Sequence, residues 1–246
     1  GQSAKKGGSA QSAYNQRVAS YAIGFKMLQQ LWPLSSKVNH IRNLTPERLR
    51  ISSVELLTAI SNLPTNPTRK SLIDYFSSID DEFLHDLFLT HEDPGQYDII
   101  GTLLFGISEC SRSEFFNEIL KSHDLEKIRK CIAVSHNGDR RSKSPLDLTY
   151  LIEQNIPMVD ISGNYDCSTE DIDQMVDISN AVPGVIGAQL AGAGMGGNIV
   201  ILVKSESTGN IMTELNEKYY EPKNIPFDAH VCVPISGASI VGETIG

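Results

Sequence analysis

The chain has 246 residues, of which 40% are hydrophobic and 21% charged, and it carries a net charge of −9. That length allows a sizeable core, as one large domain or two small ones. The acidic balance with scattered basic residues argues against nucleic acid as the main partner, and no apolar run approaches the length of a membrane span.

Cys110, Cys131, Cys167 and Cys232 lie far apart, without CxxC or Cys/His metal spacing. Reduced thiols in a cytoplasmic protein are therefore expected, with no structural zinc. No signal peptide is read, and the start on Gly1 without an initiator Met reads as a segment cut from a longer chain.

Residues 1–12, mostly Gly, Ser, Ala, Lys and Gln, are expected to form a flexible start to a domain over 13–246. From Tyr14, a stripe of Val18, Tyr21, Phe25, Leu28 and Trp32 predicts a helix stopped by Pro33. Thr45-Pro46-Glu47 is a helix start, with an apolar face from Leu49 to Ile60. Asn66-Pro67 restarts a helix, Asp80 or Asp81 caps another (DEFLHDLFL), and residues 91–95 form a loop. A longer helix is predicted from Tyr97 to about Leu120, and one more after Asp124. Residues 13–135 thus read as mostly helical. His136 to Ser144 reads as a polar surface loop.

The character then changes. Ser168-Thr169-Glu170-Asp171 resembles a capping box. It opens a helix carrying Ile172, Met175, Val176 and Ser179 that ends before Pro183. Val185–Leu190 and Ile199–Val203 are short, Val/Ile-rich and bounded by glycines, which predicts two buried strands. A helix with Ile211, Leu215 and Tyr219 and a last strand over Phe227–Val233 complete an α-β-β-α-β run at about 165–235. The fold class is α+β, an antiparallel sheet backed by helices, with a helical insertion.

Between the two strands, Gly192, Gly194, Gly196 and Gly197 place four glycines in six residues. They permit positive φ and leave no side chain between backbone N–H groups and an approaching anion. A strand follows where a dinucleotide fingerprint needs a helix, and the Gly-Lys-Ser/Thr of a P-loop is absent. Two readings stand: a tight structural hairpin, or a backbone cradle for an anion.

Residues 184–204, GVIGAQLAGAGMGGNIVILVK, resemble the third motif of the small-metabolite kinases grouped as the GHMP family, and within it the galactokinases. Three further segments agree in order. SAYNQRV (Ser12–Val18) resembles the S-E-Y-x-x-R-R stretch that opens the family's C-terminal half. The segment from Phe105 to Arg140 resembles its helix pair ending in Ser-His. Tyr165–Val185 resembles its Tyr-x-x-Ser-x-x-x-x-Asp-x-x-Val run. Residues 33–95 carry no such match.

The resemblance implies the ferredoxin-like C-terminal domain of a GHMP kinase. The intact protein would transfer the γ-phosphoryl of ATP to a sugar, the C1 hydroxyl of a galactose-like hexose. The family's ATP loop, sugar-gripping acids and catalytic Asp belong to the N-terminal half and are absent, so no catalytic residue is assigned here and the fragment alone is expected to be inactive. ATP and Mg2+ would be held mostly by that half, which becomes the chain's partner together with sugar and ATP. No metal ligands are assigned to this chain. A non-catalytic kinase-like sensor of sugar and ATP is the alternative, and an anion-binding regulatory module a third.

By the same resemblance, Tyr14 approaches the sugar, or else is simply helix core. Gly192, Gly194, Gly196 and Gly197 shape the phosphate side. His136 reads as a helix-end partner or a base. Arg140, Arg141 and Lys143 read as a solvated run able to reach phosphate. Asp171 reads as an N-terminal dipole partner, and Asp173 and Asp177 as solvated.

Overall fold

The computed structural model describes residues 8–77, 81–141 and 146–232. Helix α1 (Gly8–Leu31) opens it, so residues 8–12 are helical rather than extended, and residues 1–7 lie outside the described part. Short helices α2 (Pro46–Leu49), α3 (Ser53–Ser61), α4 (Arg69–Phe76) and α5 (Asp81–Leu89) follow. The long α6 (Ile99–Lys121), α7 (Leu125–Asp139) and α8 (Leu148–Glu153) complete a helical layer. Most starts are set locally. Thr45, Thr68, Asp98 and Asp124 each accept a hydrogen bond from the backbone N–H three residues on. The α4 cap is therefore Thr68 rather than the Asn66-Pro67 pair. Asp80, the other suggested α5 cap, is outside the described residues.

The core of this layer gathers Ile23 and Leu28 of α1, Leu57 of α3, Leu72 and Phe76 of α4, and Leu103 of α6. The predicted α1 stripe holds in its later turns, where Leu28 is buried and Phe25 and Trp32 pack on the core, but fails in its first turns. Ala19, Ile23, Met27 and Leu28 are buried, whereas Tyr14 and Val18 are 38% and 42% exposed. The helix turns its small and aliphatic residues to α6 and leaves Tyr14 and Val18 at the surface.

A second, smaller core joins α9 (Glu170–Asn180), strands β1 (Val185–Ala191) and β2 (Asn198–Val203), and α10 (Thr208–Leu215), extended by a π turn to Tyr220. The strands pair antiparallel, with Leu190 opposite Ile199 and Ala191 opposite Asn198. The two-strand sheet and its helices make the fold α+β. Residues 227–232 form no strand, and Val233, the end of the predicted last strand, is outside the described residues. That segment has the alternation of a strand but no neighbouring ladder among the described residues. Helix α7 links the layers, packing on α6 and on β1, with Ile128 and Ile132 buried.

Candidate functional site

The four segments singled out in the sequence meet around three consecutive residues, Tyr165, Asp166 and Cys167. On one side stands α1. Arg17 donates through Nε to the Tyr165 carbonyl at 2.6 Å, and through Nη2 to the Asp166 carbonyl at 3.2 Å and its carboxylate at 2.9 Å. Tyr21, one turn further on, lies 5.6 Å from the Tyr165 ring, which stacks on Phe105 of α6 at 4.8 Å. Tyr14 shares this face of α1 and is close enough to help raise the Tyr165 phenol above its ordinary value, an effect due first to burial and next to Cys167. Tyr14 is thus exposed beside this junction and is not core.

From below, the last turn of α7 holds the same three residues. The Gly138 carbonyl accepts from the N–H groups of Tyr165 (2.7 Å) and Asp166 (3.2 Å), and the Asp139 carbonyl accepts from Ser168 N–H at 2.8 Å. The Cys167 thiol donates to the Asp139 carboxylate at 3.1 Å. The predicted surface loop at His136–Ser144 is therefore corrected. The helix continues to Asp139, and His136, Gly138 and Asp139 are buried because they carry these contacts. Lys143 and Ser144 lie outside the described residues.

On the far side stands the glycine loop. Met195 N–H donates to the Cys167 carbonyl at 2.6 Å. Gly194 is buried, and a Cβ there would run into the Cys167 carbonyl and lie 2.8 Å from its sulfur. All four glycines have positive φ, and so does Met195 at 58°. They serve two ends. Gly194 and Gly196 face inward, whereas Gly192 is exposed, and at Gly192 and Gly197 a Cβ would meet nothing within 4 Å. At those two positions the left-handed backbone, not crowding, demands glycine. At these two positions the loop's edge is bare of side chains, with the methyl of exposed Ala193 between them, which suits the close approach of an anion to backbone. Cavities of about 260 and 480 Å3 beside α6 and α7 are lined by other residues, reaching the strands only at Gln189.

A polar knot lies behind the loop. His136, 1% exposed, accepts through Nδ1 from Leu190 N–H at 3.3 Å. Its proton is then on Nε2, which stands 3.3 Å from the Asp173 carboxylate without the alignment of a good hydrogen bond. Asp173 also accepts from the Ser168 hydroxyl at 2.6 Å, and Arg140 pairs with Asp177. Burial first, then the Arg140 charge, push the imidazole down to about 4. His136 is thus a neutral buried strut. Asp173, expected to be solvated, is instead half-buried and bound because the last turn of α7 lies beside α9; Asp177 is exposed as expected, with Arg140 beside it. Asp171 pairs with Lys223 at 2.7 Å. The cap of α9 is Thr169, one residue after the expected Ser168, whose hydroxyl is taken by Asp173.

No family model matches the chain. The galactokinase of Levilactobacillus brevis is 23% identical over 192 residues, covering 77% of this chain and 42% of the relative. That of Thermotoga maritima is 30% identical over 102 residues (42% and 23%), and the human enzyme 28% over 96 residues (39% and 23%). The chain is galactokinase-like. It spans less than half the length of each of these relatives.

In this galactokinase-like chain, sequence reasoning passed over Arg17, Asp139 and Cys167, the residues that tie the segments together. Arg17 carried a legible signal, a cation inside a helix three residues after an aromatic. Asp139 and Cys167 carried none, since their partnership is long-range. Among the described residues no three His, Cys, Asp or Glu side chains gather as a metal site.

Proposed function

We propose that the chain is the C-terminal part of a sugar kinase whose intact form transfers the ATP γ-phosphoryl to a hexose hydroxyl, galactose C1 being the reading its relatives favour. The supporting observation is the convergence of all four resembling segments on Tyr165–Cys167, with α1 on one side and the glycine loop on the other. Independent core packing would not need Tyr14 exposed beside that junction.

In this reading the bare edge at Gly192 and Gly197 faces the nucleotide phosphates, while Gly194 and Gly196 hold the loop in shape. Tyr14 faces the sugar. Bound Mg2+ would neutralise charge on the phosphates. By the family resemblance its protein ligands belong to the N-terminal half. That half is the partner covering Tyr14 and Val18, and the α9–β1–β2–α10 layer belongs to a ferredoxin-like domain. Catalysis takes place in the cytoplasm.

The test is an ADP-release assay with candidate hexoses on the full-length gene product and on this chain alone. Galactose-dependent turnover is expected from the first and none from the second. In the full-length protein Tyr14→Phe weakens sugar binding and leaves ATP binding unchanged. A full-length protein that binds sugar and ATP without turnover would instead be a sensor. Turnover by the 246-residue chain alone overturns the assignment.

A further inference from the structure

A second site, apart from the glycine loop, opens between the C-terminal half of α6 and the first turns of α7. The cavity measures about 480 Å3, within the roughly 300–1,000 Å3 span of small-molecule sites. Its walls are apolar: Phe115 and Ile119 from α6, and Pro157, Met158 and Val159 from the turn that follows α8.

The polar groups of its interior are already engaged. Arg112 is buried and donates to the carbonyls of Val159 (2.9 Å) and Ile161 (2.8 Å) and to Glu109. Ser53 accepts from Met158 N–H at 3.0 Å, and Glu47 accepts from Ser111 at 3.2 Å. The lining groups still able to change partner are Lys127 and Lys130, with side chains 67% and 61% exposed. They pair with Asp124 at 3.4 Å and Asp160 at 2.8 Å. Exposed pairs of this kind hold weakly, so their ammonium groups can turn to a ligand. Arg112, Lys127 and Lys130 line the cavity with Glu47 and Asp160, and the carboxylates that hold Arg112 and Lys127, Glu109 and Asp124, are not on its wall. Apolar walls with cations among the lining suit a molecule with a greasy body and an acidic head.

We propose that this cavity binds a small amphipathic organic anion, its acyl or aryl body against Phe115, Ile119 and Met158 and its carboxylate between Lys127 and Lys130. The site is independent of the phosphoryl-transfer reading and stands or falls separately from it.

Calorimetric titration of the chain with octanoate, octanol and acetate tests it. Saturable one-to-one binding of octanoate is expected, with acetate silent for want of a body and octanol weaker for want of a charge. The surface double variant Lys127→Gln/Lys130→Gln, which leaves the core untouched, should weaken octanoate about tenfold, as loss of a charge-assisted hydrogen bond does, without changing octanol. Ile119→Trp, filling the cavity, should abolish both. Octanoate that fails to saturate, or that binds the double variant as tightly as the parent, overturns the proposal.

Discussion

In the helical layer, α2, α3, α4, α6, α7 and α8 each begin on a Ser, Thr or Asp whose side chain accepts from the N–H three residues on, and the space between them is filled by aliphatic and aromatic side chains. Around the glycine loop the means are different. There positive φ is concentrated, at Gly192, Gly194, Met195, Gly196 and Gly197, whereas in the helical layer it falls singly, at Arg50, Asn66, Gly95, His123 and Asn155. Buried polar groups occur in both regions; beside the loop His136 and Asp139 hold Leu190 and Cys167, remote in the chain, while in the helical layer Ser20, Ser35 and Thr45 bond within seven residues. One region is stabilised by burial and closed by local caps. The other holds a backbone shape that isolated residues disfavour, and that shape persists because distant segments bind it. A backbone shape held from outside in this way suits a binding edge.

Substitutions can break this comparison. The largest effect is expected in the helical layer: Phe76→Ala removes a fully buried ring and should cost about 3–5 kcal/mol, read as a lowered urea midpoint by circular dichroism. Next come paired changes in the loop. Gly192→Ala meets only the left-handed backbone, about 1–2 kcal/mol. Gly194→Ala adds the collision with Cys167 and should cost clearly more in the same titration. Equal costs would mean that the inward and outward glycines do the same job.

A pH series sharpens the contrast further. His136 is depressed to about 4 from an ordinary 6.5, by burial ahead of Arg140, with Asp173 and Asp177 opposing. The unfolded chain then takes up the extra proton first, so this contribution is complete above about 6.5 and is lost as pH falls toward 4. His136→Asn should flatten the fall in urea midpoint across that window. The smallest change is Thr68→Ala, which removes one arm of the α4 capping box and should cost about 1 kcal/mol.

The tie between sequence and structure was closest where the signal was local. Thr45 and Asp124 cap as their spacing predicts, and the Gly loop lies between two antiparallel strands as its flanks require. Errors fell where an outcome depended on a distant neighbour. His136–Asp139 is polar, so it read as a loop, yet its carbonyls and side chains are used by Tyr165, Ser168 and Cys167. The first turns of the α1 stripe differ from expectation because Tyr14 and Val18 fit the helical period as well as Ile23 and Met27 do. The choice between them rests with α6, and periodicity carries no information about it.

By itself the sequence determined the Thr45 and Asp124 helix caps, the presence of two strands, the glycine-rich bend between them and the likeness to galactokinases. Each of these rests on residues close together in the chain. Only the tertiary structure decided that Gly194 faces inward while Gly192 faces out, that Asp173 is bound to Ser168, and that Arg17 clasps Tyr165 and Asp166. Those outcomes depend on close approach between segments up to about 150 positions apart, and side-chain chemistry along one strand of sequence does not encode which remote backbone will arrive beside it.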